Sequence, residues 1–163
     1  GGDTDVIWEK YIKALENLPK DFKVIGINDY LFLDGYKKVL EYKRSGRLSN
    51  IELILPVIEL RLDKFGGCSN KLSRVNLHVI FSDQIRPEII ETQFISALHS
   101  KYLLSPQYDD LKSQWNALIT KDSLIELGEL IINSVPPEKR RQFGSPLLEG
   151  FNNLNFKFDD VIG

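Results

Sequence analysis

The stretch Phe22-Lys-Val-Ile-Gly-Ile-Asn-Asp-Tyr-Leu-Phe-Leu-Asp-Gly-Tyr36 constrains this chain more than any other. Lys23–Ile27 is a short apolar run with β-branched residues, which predicts a buried strand. The strand delivers Asn28-Asp29 into a loop. A helix over Gly35–Lys43 follows, with Tyr36, Val39 and Leu40 on one face and Gly46 as its C-terminal stop. Ile51–Leu62, rich in Ile, Leu and Val, predicts the next strand, with a bend or a sheet edge at Pro56. Two consecutive strands with a helix between them make a right-handed βαβ crossover the default.

The flanking patterns extend this α/β layering. Asp3-Thr4-Asp5 opens a helix whose apolar residues run from Val6 through Leu18, and Pro19 helps to stop it. Arg74–Phe81 predicts a third strand. Pro87–Leu98 predicts a helix with Pro87 near its start, and Ser123–Ser134 another, with Leu124, Leu127 and Ile131 at helical spacing. Residues 100–119 are ambiguous, with a helical segment near Leu111–Leu118. Trp8 and Trp115 are expected in the core, and His99 is expected to cap a helix end. Gly150–Phe158 alternates in part, as a strand or an extended loop does.

At 163 residues the chain suits one domain with a sizeable core. Its net charge of −2 gives no global pull toward nucleic acid or membranes. Lys139-Arg-Arg141 is a short basic run, of the kind usually found on a solvated helix face. A single cysteine, Cys68, excludes an intrachain disulfide and reads as a free cytosolic thiol. No apolar run approaches the ~18 residues of a membrane span and no signal peptide is visible, so the expected compartment is cytoplasmic. The absence of methionine, the Gly1-Gly2 start, and Asp159 as a helix cap with no helix after it suggest a fragment.

Functional groups in α/β folds cluster at the carboxyl ends of strands. Asp29 ends the first strand, Glu59 and Arg61 lie on the second, and Asn76 and His78 point the same way on the third. Two carboxylates and an imidazole at one mouth would suit Zn²⁺ or Mn²⁺. Arg61 and Arg74 would bind a phosphate beside them. Structural roles stand beside these: Asp29 as a helix cap or turn former, Glu59 and Arg61 as a solvated ion pair, His78 as a hydrogen-bonded strand residue.

Ile25-Gly-Ile-Asn-Asp-Tyr-Leu-Phe-Leu-Asp-Gly-Tyr36 resembles the second motif of the PHP (polymerase and histidinol phosphatase) superfamily. Leu55-Pro-Val-Ile-Glu59 resembles its third motif, and Val75-Asn-Leu-His-Val-Ile80 the following ligand-bearing strand. More closely, Phe22–Asp83 resembles the N-terminal PHP-like region of TrlF-type, SMC-like ATPases linked to DNA repair or defence. The resemblance implies a distorted β/α barrel, incomplete in this chain, forming residues 1–163 of a longer multidomain ATPase. It implies a metal-dependent phosphoesterase or nuclease, with Glu59 and His78 as metal ligands and Asp29 as a ligand or a ligand-orienting group in the catalytic site. Its implied partners are the ATPase domain of the same chain and nucleic acid, with no membrane. Two departures weaken the enzyme reading. The family's first His-x-His motif is absent, and Tyr30 stands where the second motif has histidine; a phenol of pKa ~10 is a poor ligand at neutral pH. With the metal lost, the alternative is a degenerate, non-catalytic scaffold or interaction domain.

Overall fold

A computed structural model describes residues 4–68, 70–106 and 115–162. It divides into two compact units: residues 1–59 with 78–91, and residues 60–77 with 92–163. One three-stranded sheet, ordered β1-β2-β3, runs through the chain: β1 is Val24–Asn28, β2 is Leu53–Cys68 and β3 is Lys71–Ile80.

The strand-helix-strand expectation holds. β1 pairs parallel with β2, Val24 opposite Leu53 through Asn28 opposite Val57. Between them lies α2, Asp34–Arg44, which buries Gly35, Tyr36 and Val39. Gly46 follows at φ +92°, a conformation that glycine adopts without steric penalty.

The barrel does not hold. The sheet is open, mixed and three-stranded, neither closed nor curled. The physical reason is the connection after β2. A β/α barrel requires a helical crossover to a parallel strand after each strand, whereas β2 returns directly into β3 through a turn around Gly67 (φ +142°) and Asn70 (φ +67°). The resemblance to the PHP superfamily, and to the PHP-like region of TrlF-type ATPases, is overturned with it.

Pro56 lies on the central strand, not at a sheet edge. Its carbonyl accepts the Phe81 amide at 3.0 Å, just past the end of β3. The amide that proline lacks would therefore face the end of that ladder, so a central strand tolerates it.

In the first unit, α1 (Asp5–Glu16) is started by Thr4, whose hydroxyl accepts the Ile7 amide. The helix is anchored by charge as well as by buried Ile12. Arg47 grips Glu16 with two bonds, at 2.6 and 2.7 Å, and Glu9 with two more, at 3.1 and 3.2 Å. Glu16 also accepts the Leu48 amide, and Asn50 donates to the Leu15 carbonyl. Trp8 is half-buried beside Tyr11 rather than in the core.

Pro87–His99 is helical as expected but changes pitch, from α3 (Pro87–Ile89) through a π-helical stretch (Ile90–Ile95) to α4 (Ser96–His99).

The second unit is built on α5 (Lys121–Asn133) and α7 (Pro146–Phe151). Thr120 and Ser123 form a reciprocal capping box at the start of α5. Buried Leu124, Leu127, Gly128 and Ile131 recur at helical spacing. α5 and α7 approach backbone to backbone, because a Cβ on Gly128 would strike the Pro146 carbonyl and one on Gly150 the Leu124 carbonyl. Arg140, on α6 (Pro137–Arg140), donates to the carbonyls of Asn133 and Val135 and so satisfies the end of α5. Trp115 is half-buried and donates to Glu126.

After α7 the chain is extended only at Phe156, which forms a parallel bridge with Leu62. A short helix, α8 (Phe158–Ile162), does follow, with Asp159 in its first turn. The helix expected near Leu111–Leu118 lies half outside the described residues; within them, Ala117 bridges antiparallel to Leu104.

Two outcomes follow. Gly128→Ala or Gly150→Ala should destabilise the fold by roughly 1–3 kcal/mol or more in urea titration, because the colliding atoms are backbone. Glu16 has a folded pKa of about 2 against an ordinary 4.5, held down first by Arg47 and then by the Leu48 amide. Its stabilisation is therefore complete above the unfolded value and lost as pH falls from about 5 toward 2. Glu16→Gln should lower the thermal midpoint at neutral pH, and the gap to the parent should close through that acid window.

Candidate functional site

Asp29, Glu59 and His78 lie in the first unit. β2 carries Glu59, whose amide donates to the Tyr30 carbonyl at 2.8 Å. The Glu59 side chain is only 13% exposed. Its Oε2 accepts Asn28 Nδ2 at 2.8 Å, and His78 Nε2 stands 3.6 Å from the same oxygen. Strand alternation thus brings Glu59 and His78 together, as expected. Asn28 completes the group. β1 ends in register with Val57, two residues short of Glu59, so the side chain of its last residue reaches across.

Asp29 has a different task. Its Oδ2 accepts the Gly35 amide at 3.3 Å, at the start of α2, and its side chain packs on Gly35 closely enough that a Cβ there would sit 3.2 Å from Asp29 Cβ. This is the helix-capping role, in which the carboxylate meets the positive end of the helix dipole. Tyr30, at φ +51°, makes the turn between strand and helix. Among the described residues, no group of three or more His, Cys, Asp or Glu side chains could hold a metal ion. Glu59 and His78 supply two donors where a zinc site takes at least three protein ligands. The donor set expected for Zn or Mn is therefore not assembled here.

Arg61 and Arg74 lie in the second unit. Arg61 donates to Asn76 across the hairpin and stacks over the Phe151 ring at 5.3 Å, with its Nε buried and without a hydrogen-bond partner. Arg74 donates from one nitrogen to the carbonyls of Asn152 (3.1 Å) and Leu154 (2.7 Å), and lies over Phe65 at 5.5 Å. Burial, and then the neighbouring Arg61 charge, lower its pKa. Both guanidiniums bind the protein itself rather than forming an open phosphate fork.

Sequence reasoning did not foresee a cleft of about 290 Å³ in the second unit, lined by Tyr102–Pro106, Ile119 and Asn153–Phe156. Tyr102 contributes a hydroxyl that accepts the Lys157 amide and donates to Asp160, which ties down α8. His99 sits at the end of α4, as expected for a cap. Its ring is half-buried, Nε2 has no hydrogen-bond partner, and burial lowers its pKa against a bond to the Ile119 carbonyl that raises it.

Arg74→Leu should leave two carbonyls short of a donor and destabilise the fold by about 1–3 kcal/mol in urea titration. Arg74→Lys should restore only part of that loss, because an ammonium lacks the planar fork. No protein-family model, no curated protein and no solved structure matches this chain.

Proposed function

We propose that this chain is a non-catalytic α/β scaffold or interaction domain. The single observation that supports the reading is how the candidate catalytic groups are employed. Asp29 caps α2, Arg74 holds carbonyls, Arg61 bonds Asn76, and only Glu59 and His78 face each other, without a third metal ligand among the described residues. Exposed large apolar side chains such as Val6, Val24, Leu72, Ile80 and Leu118 suit a surface that meets partners. The proposed partners are other domains of a longer chain, an ATPase domain among them, and nucleic acid. The exposed free thiol of Cys68 favours a reducing, cytoplasmic setting. No helix among the described residues is long and apolar enough to cross a membrane.

The test is elemental analysis of the purified chain together with hydrolysis of bis(p-nitrophenyl) phosphate in Zn²⁺ or Mn²⁺. The expected result is no stoichiometric metal and no turnover above the metal-only control. Stoichiometric metal, with turnover abolished by Glu59→Gln or His78→Ala in variants that keep the parent thermal midpoint, would overturn the proposal in favour of a metal-dependent phosphoesterase.

A further inference from the structure

We propose that the tip of the β2–β3 hairpin is a contact site for single-stranded nucleic acid, an inference that rests on the interaction-domain reading and names its partner. Every described residue from Lys64 to Ser73 is exposed, although β2 and β3 remain strands up to Cys68 and from Lys71. A two-stranded ribbon exposed on both faces buries little apolar surface of its own, so stability alone does not account for its length.

The chemistry of the tip is one-sided. Between Lys64 and Arg74 the sequence holds three cations and no carboxylate, in a chain whose net charge is −2. Asp63, just inside the tip, lies 3.8 Å from Lys64 and offsets part of one charge. Phe65 is 60% exposed, and the Arg74 guanidinium lies over its ring at 5.5 Å. Arg74 is itself anchored by the carbonyls of Asn152 and Leu154, so one face of the aromatic ring is backed by a fixed cation.

An exposed aromatic ring flanked by lysines on a ribbon is the combination that binds unpaired nucleotides. The ring stacks on a base, and the ammonium groups meet the adjacent phosphates and release their counterions. Phe65 takes the stacking role, and Lys64 and Lys71 take the phosphates. A second copy of this chain is a poorer occupant, because its tip carries the same cations.

The experiment is fluorescence anisotropy of the whole chain with labelled oligo-dT at low salt, repeated across a salt series. Binding should weaken as salt rises. Lys64→Glu combined with Lys71→Glu should weaken it by at least about tenfold and flatten the salt slope by about one unit. Phe65→Ala should weaken it about tenfold. Because the tip is exposed, all variants should keep the parent thermal midpoint, and a variant that does not is replaced by Lys64→Gln with Lys71→Gln. No binding at low salt, equal affinity in the charge-reversed variant, or binding only to phosphatidylserine vesicles would overturn the proposal. Cleavage of the oligonucleotide would overturn the non-catalytic reading instead and leave the tip as its contact site.

Discussion

The backbone of β2 is the constraint on which the rest of the structure depends. A central strand carries amide and carbonyl groups on both edges, and each needs a partner when buried. β1 supplies one edge from Leu53 to Val57, and Phe156 supplies it again at Arg61–Asp63. β3 supplies the other edge through the hairpin. The parallel pairing with β1 requires a crossover, which is why α2 exists. The hairpin requires only a tight turn, which is why the sheet stays open instead of continuing toward a barrel.

Polar side chains mostly finish what the backbone leaves undone. Asp29 meets an orphan amide at the start of α2, and Arg140 and Arg74 meet orphan carbonyls in the second unit. Arg47 is the densest example, with four bonds to two carboxylates on α1. Each of these residues has a charge and a spacing that also suit catalysis. What separates the two roles is the partner, and the partners here are peptide groups or counter-ions of the fold.

The pairing of Glu59 with His78 was legible because strand alternation is a period of two and both residues sit on runs of strong β pattern. The role of Asp29 as a third ligand was not recoverable in that way. A carboxylate after a strand and before a helix satisfies both a cap and a ligand pattern, and only the position of the Gly35 amide separates them. Pro56 misled for a related reason. Proline is confined to positions without a ladder amide, but the sequence does not reveal that β3 would end opposite it. The close approach of α5 and α7 through Gly128 and Gly150 was equally hidden, because an isolated helical glycine carries no information about its neighbour.

By itself the sequence determined the local elements: the strand-loop-helix at Phe22–Arg44, the amphipathic face of α5, and the two strong strand runs. These follow from side-chain periodicity and capping, which act within a few residues. Only the tertiary structure decided that β3 turns back along β2, that Asp29, Arg61 and Arg74 serve the fold, and that the hairpin tip is left exposed. Those outcomes depend on which distant backbone groups and surfaces find one another, and short-range pattern does not encode that pairing.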